Sequence, residues 1–155
     1  MATLHWVLKH FNELTPHELY LIMQLRNEVF VLEQNCIYQD ADNKDLKAYH
    51  FMGFDDQGQL MAYTRLLPQG VSYSEMSIGR VVTHADVRKS GAGKELMRRS
   101  IATCYELFGK ADIKIGAQLY LLKFYNAFGF QQTGEVYLED GIEHIEMLLA
   151  YKLDQ

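Results

Sequence analysis

Between an apolar run that closes near Thr83 and an amphipathic run that opens at Lys94, the chain reads Arg88-Lys89-Ser90-Gly91-Ala92-Gly93-Lys94. The run before it, Met76 to Thr83, predicts a strand. The run after it, Lys94 to about Phe108, predicts a helix with an apolar stripe of Leu96, Met97, Ile101, Cys104, Tyr105 and Phe108. Strand, glycine-bearing loop and helix in that order aim successive main-chain N–H groups at one point, where the helix dipole is positive. The loop therefore predicts a site for a phosphate-bearing anion. Glycine lets the main chain approach a bulky diphosphate, and Arg88, Lys89 and Lys94 add charge. Two better-known loops are excluded. A Walker A loop needs glycine where Arg88 stands and a hydroxyl where Glu95 stands, and a dinucleotide fingerprint needs a third glycine where Leu96 stands. The plain alternative is a tight strand-to-helix turn capped by Ser90.

The flanking segments indicate what surrounds this unit. Leu4, Trp6 and Leu8 alternate as in a strand, and Thr15-Pro16-His17-Glu18 supplies a capping hydroxyl, an N-terminal proline and a carboxylate three residues past the cap. A helix to about Phe30 follows, its apolar period broken by Arg26. Val31 to Lys47 is polar and acidic without a period, carrying Glu33, Asp40, Asp42 and Asp45. Ala48–Phe54 and Leu60–Leu67 read as a hairpin about Asp55-Asp56-Gln57-Gly58-Gln59. Gly109 closes the second helix. Ile113–Ala117 is a short buried strand, Leu119 to Phe128 is helical, and Val136–Tyr151 is a pair of strands turning at Asp140-Gly141. The pattern predicts a single α/β (α+β) domain over residues 1–155, a mixed sheet covered by helices.

Composition closes several other routes. No apolar run reaches the roughly 18 residues a membrane span requires, and no secretory leader is visible, so a soluble cytoplasmic protein is expected without a membrane partner. Two cysteines, Cys36 and Cys104, cannot frame disulfides or a four-cysteine metal site, and the six histidines show no ligand spacing, so no metal is expected. A net charge of −5 offers no footprint for nucleic acid and fits an amine substrate. A homodimer is compatible with all of this.

Arg88, Gly91 and Gly93 satisfy the pattern Arg or Gln, two residues, Gly, one residue, Gly or Ala. Phe124-Tyr125-Asn126-Ala127-Phe128-Gly129-Phe130 satisfies a second pattern: an aromatic-Tyr pair, three residues, then Gly-Phe. Both resemble the signatures of the GNAT superfamily of acyl-CoA-dependent N-acyltransferases. Leu25-Arg26-Asn27-Glu28-Val29-Phe30, Tyr38-Gln39-Asp40, Ile78-Gly79-Arg80-Val81-Val82 and Gly116-Ala117-Gln118 resemble its ElaA branch. The resemblance implies a mixed, mostly antiparallel sheet with helices on both faces, splayed into a V between two parallel strands, Met76–Thr83 and Ile113–Ala117. It implies acetyl-CoA or another acyl-CoA as co-substrate. The diphosphate would lie on Arg88, Lys89, Ser90, Gly91, Ala92, Gly93 and Lys94, and the pantetheine arm on the main chain of Val81, Val82 and Thr83 and on the amide of Gln118. Tyr125 matches the general acid of the family.

Acyl transfer to the amine of a small molecule or peptide needs a base, donors for the carbonyl oxygen and a proton for the departing thiolate. A main-chain N–H in Arg80–Thr83 is a candidate donor. A phenol stays protonated at neutral pH and suits the last role, although Tyr125 could also be a plain core aromatic. Glu33 and His144 are the candidate bases. Arg80, Asp42, Asp45 and His50 are candidate substrate contacts; the plain alternatives are a solvated acidic loop for the carboxylates, a pairing with one of those acids for Arg80, a hydrogen-bonded strand histidine for His50 and an exposed strand residue for His144. Cys36 opens a covalent route, disfavoured because nothing in the sequence activates it, whereas Cys104 falls on the core stripe. Two competing functions are a CoA-binding module without catalysis and an acyl-homoserine-lactone-synthase-like enzyme.

Overall fold

A computed structural model describes residues 3–152 of the chain, so the first two and last three positions of the expected 1–155 domain lie outside the described residues. Strands β1 (His5–His10), β2 (Tyr49–Phe54), β3 (Leu60–Leu67) and β4 (Ser77–Thr83) form an antiparallel sheet in chain order. In the second sheet β8 (Ile142–Leu149) is central. It pairs antiparallel with β5 (Ile113–Gln118) on one side, and with β6 (Gln131–Gln132) and β7 (Tyr137–Glu139) along the rest of its length. The sheets meet at a single parallel bridge, Met76 to Ile113, backed by a hydrogen bond of 3.0 Å from the Lys114 amide to the Met76 carbonyl. Beyond that point no ladder joins β4 to β5, which is the predicted V.

Helix α1 (Pro16–Arg26) begins as its sequence requires: Thr15 Oγ1 accepts from the Glu18 amide at 3.1 Å, and Glu18 returns a bond of 2.9 Å to the Thr15 amide. The expected helix to Phe30 stops being α-helical at Arg26 and continues over Asn27–Glu33 as a wider π-type turn. Helix α2 (Ala92–Phe108) starts two residues earlier than its stripe suggests, capped by Gly91. The helix expected from Leu119 to Phe128 shrinks to a tight turn and α3 (Leu122–Asn126), and the two-residue β6 has no sequence signal of its own.

Alternation along β2 and β3 decides how the first sheet is covered. Phe51, Ala62 and Leu66 face α2 and pack with Leu96, Met97 and Cys104, whereas Met52 and Tyr63 face α1 and pack with Ile22, Leu25 and Val29. Both faces are buried, so every residue of β3 is inaccessible, Arg65 included. No helix among the described residues is long and apolar enough to cross a membrane.

Candidate active site

The mouth of the V holds a cleft of about 730 Å³, whose walls come from the π-type turn, the loop after it, β4, β5, α3 and β8. On β4, Tyr63 pairs with Val82 but Arg65 pairs with Gly79, so Arg80 and Val81 together stand opposite Thr64. That bulge interrupts the ladder beside the splay, and Arg80 takes φ 49°, a left-handed conformation uncommon for a residue with a side chain. Val81, Val82 and Thr83 line the cleft just beyond it.

The loop into α2 fits an anion. Gly91 sits at φ 90° as the N-cap, and no side chain caps the helix, so its first amide hydrogens have no side-chain partner. The Ser90 cap of the plain alternative is not made; the Ser90 hydroxyl donates instead to the Val87 carbonyl. A Cβ on Gly93 would meet Phe124 only at an ordinary 3.9 Å, so packing within the chain does not demand glycine there; the residue faces the cleft. Arg88 and Gly93 line the cleft, whereas Lys89, Ser90, Gly91, Ala92 and Lys94 do not. Arg88 donates to Glu33 at 2.7 Å and to the Thr83 carbonyl at 3.1 Å, linking the two sides of the opening.

Tyr125, on α3, is 4% exposed and lines the cleft, its ring edge-on to Phe124 and Phe130. Its hydroxyl bonds to nothing among the described residues, and burial raises the phenol above its ordinary pKa, so it remains a proton donor. His144 is 7% exposed and not the surface residue its strand allowed. Its Nδ1 lies 2.7 Å from the Ile142 carbonyl, which can only accept, so the ring proton of the neutral form is on Nδ1 and Nε2 carries the lone pair. Nε2 lies 3.5 Å from a carboxylate oxygen of Glu139. The Gln118 amide is in a reciprocal pair with Gln34, each bond 3.3 Å.

The acidic loop does not take its plain alternative, and Arg80 pairs with its acids as the other reading of that residue had it. Far from being solvated, the loop folds onto Arg26, which is 0% exposed: Arg26 Nε meets Asp40 and Nη1 meets Asp45, both at 2.7 Å. Arg65 grips Asp42 with two bonds of 2.8 and 3.0 Å and reaches Asp45 at 3.1 Å. Arg80 Nε lies 2.8 Å from Asp40 Oδ1 without hydrogen-bond geometry, and Nη2 reaches the Asp40 carbonyl at 3.1 Å. Burial alone would raise the Asp45 carboxyl, but Arg26 and then Arg65 outweigh it and hold the group below its ordinary value; Asp42 is lowered in the same way by Arg65 and Arg80.

Of the four expected substrate contacts, Asp42 and Arg80 therefore line the cleft, and Asp45 and His50 do not. His50 is fully buried, bonded through Nδ1 to the Tyr63 hydroxyl at 2.7 Å and through Nε2 to the Asp45 carbonyl, and desolvation lowers its pKa. It braces the loop from behind. Arg65 and Lys44 line the cleft but were missed; a charged residue inside the apolar run Leu60–Leu67 was the signal for the first. Cys36 donates to the Asp140 carbonyl at 3.3 Å, and burial raises the Cys104 thiol to about 12. Among the described residues no cluster of histidine, cysteine and carboxylate side chains could hold a metal ion.

The family described as acetyltransferase (GNAT) domain matches residues 15–151. Protein ElaA of Escherichia coli is 40% identical over 93% of this chain and 95% of its own. A crystal structure of an acyl-CoA N-acyltransferase from Pseudomonas aeruginosa superposes with a TM-score of 0.91 at 43% identity, covering 96% of this chain and 100% of that one. The crystal structure of Escherichia coli ElaA gives 0.87 at 39% identity, over 94% and 98%.

Proposed function

The chain belongs to the GNAT acetyltransferase domain family, and from that premise we propose that it transfers the acetyl group of acetyl-CoA to an amine by direct attack in a ternary complex. The observation that carries this reading is Tyr125: a buried ring whose hydroxyl is kept protonated, opens on the cleft that the bulged strand and the uncapped helix also line, and has no hydrogen-bond partner among the described residues. Such a donor awaits an acceptor from outside the chain, and a departing thiolate is one.

The chemistry supplied by the co-substrate is an activated thioester; the protein's residues bind, orient and move protons. The amides at the start of α2 and the Arg88 guanidinium hold the diphosphate. Main-chain groups of Val81, Val82 and Thr83 pair with the pantetheine amides, as an added strand would, because the β4 bulge and the splay leave that edge unpaired by β5. An N–H of the bulge stabilises the negative charge that develops on the carbonyl oxygen. His144 Nε2 takes the amine proton, with the Glu139 carboxylate 3.5 Å away. We favour His144 over Glu33 as base because the Glu33 carboxylate is already engaged by Arg88 at 2.7 Å, whereas His144 Nε2 accepts no hydrogen bond among the described residues. No residue supports a covalent relay: the Cys36 thiol points its proton at a carbonyl and has no base beside it.

The test is release of free thiol from acetyl-CoA with a panel of amines, with the acylated product identified by mass. Tight CoA binding by calorimetry without thiol release for any amine would refute the catalytic reading and leave a binding module.

A further inference from the structure

Resting on that transferase reading, the charges of the cleft select among amines. On the side of the cleft built by the first sheet and the acidic loop, four cations, Arg26, Arg65, Arg80 and Lys44, stand against three carboxylates, Asp40, Asp42 and Asp45; of these Arg65, Arg80, Lys44 and Asp42 line the cleft itself. All three carboxylates are engaged by guanidinium groups. Lys44 is half-buried and lines the cleft, yet its ammonium makes no ion pair or hydrogen bond among the described residues; only its main-chain amide is used, by Asp42. Arg65, 3% exposed, has a buried Nε with no hydrogen-bond partner, and Arg80 Nε likewise lacks one. Arg80 is pinned from behind by Asp40 and stacks 5.8 Å over Tyr38, so its position is set before any ligand arrives. This side is short of one anion.

At the turn between β7 and β8 the cleft is lined by two exposed carboxylates, Glu139 and Asp140, and the basic group paired with them among the described residues is His144, whose Nε2 lies 3.5 Å from Glu139. The nearby cations are already matched, Lys114 by Glu146 at 3.1 Å and Arg88 by Glu33 at 2.7 Å. A neutral monoamine would leave Lys44 unmatched. A diamine would set its second ammonium against Lys44 and Arg80.

We propose that the acceptor is a small amino-carboxylate, its carboxylate held by Lys44 and Arg80 and its amino group presented to His144 beside Glu139. The unmatched cation and the carboxylates of Glu139 and Asp140 line one cleft, so one zwitterion answers both. Arg80 is then a specificity-determining residue, and its strained place in the bulge ties acceptor recognition to the strand that borders the thioester.

The experiment uses matched pairs on the full chain: β-alanine and β-alaninamide, γ-aminobutyrate and γ-aminobutyramide, L-lysine and cadaverine. Binding to the CoA-loaded protein is followed by saturation-transfer NMR, and kcat/KM by thiol release. In at least one pair the carboxylate-bearing member binds and reacts about tenfold better or more, the worth of one charge-assisted contact. Lys44→Glu, which keeps the main-chain bond that Lys44 contributes to the fold, cuts that ratio about tenfold. Arg80→Gln lowers it through KM. Equal or better binding by the carboxylate-free member in every pair overturns the inference, as does a ratio unmoved by Lys44→Glu. Carboxylate-selective binding without thiol release would sustain the inference and remove the transferase reading. Faster transfer to cadaverine and the amides would do the reverse.

Discussion

Replacing Tyr125 with Phe removes one oxygen and isolates the proposed acid step. The ring packs edge-on against Phe124 and Phe130 at centroid distances of 5.1 and 6.0 Å, contacts that phenylalanine preserves. The hydroxyl makes no hydrogen bond to the described protein, so its loss strands no buried partner and stability should change by less than about 0.5 kcal/mol. Calorimetric CoA affinity should hold for the same reason. Turnover should not hold: a positioned general acid contributes roughly a hundredfold to a thousandfold here, or about 3–4 kcal/mol of barrier. Thiol release at saturating amine measures kcat directly. Because burial raises the phenol, it stays protonated throughout the working range, and the rising acidic limb of the wild-type pH profile belongs to the base and should survive in the variant. An unchanged kcat would remove the tyrosine from the chemistry. A loss that tracked weakened CoA binding would reassign it to positioning.

Asp45→Asn leaves Arg26 buried with half its charge unanswered and should cost about 3–5 kcal/mol at neutral pH, read by urea unfolding. The carboxyl is lowered in the fold, so its stabilisation is complete above the ordinary value of about 4 and is lost as pH falls through the lowered one; the gap between wild type and variant should narrow in acid, and a constant gap would refute the pairing. Gly91→Ala meets no neighbour within 4 Å but forces φ 90° on a residue with a Cβ, costing about 1–2 kcal/mol and weakening CoA binding; unaltered affinity would tell against the anion site. Cys36→Ser keeps a donor for the Asp140 carbonyl and should retain turnover to within about threefold, whereas abolished turnover with intact CoA binding would restore a covalent relay.

Local signals in the chain were sufficient for the frame. Thr15 and Glu18 make both bonds of their capping box, Gly58 turns the first hairpin at φ 79°, and the Gly91 loop joins β4 to α2 as its composition demands. What stayed hidden depends on partners distant in sequence. The acidic loop looks solvated when read alone, because Arg26, Arg65 and Arg80 reach it from α1, β3 and β4. The π-type turn was equally opaque: the residues after Arg26 keep a helical appearance, and nothing in their spacing announces a wider pitch. In the site, the tyrosine and the glycines were visible as motifs, whereas the Nδ1–H tautomer of His144 and the engagement of Glu33 by Arg88 are matters of geometry alone.

Among the described residues the bridge between Met76 and Ile113 is where the two sheets join, and the strands part from there. Gln118 stands five residues beyond it, about 16 Å along the strand, so a change of about 5° in the angle between the strands would shift the far end by roughly 1.4 Å. Resizing either fully buried side chain at that junction, Met76 or Ile113, by one methylene is therefore expected to alter the width of the mouth from a distance, and thiol release from a series of acyl-CoAs of increasing length would register it.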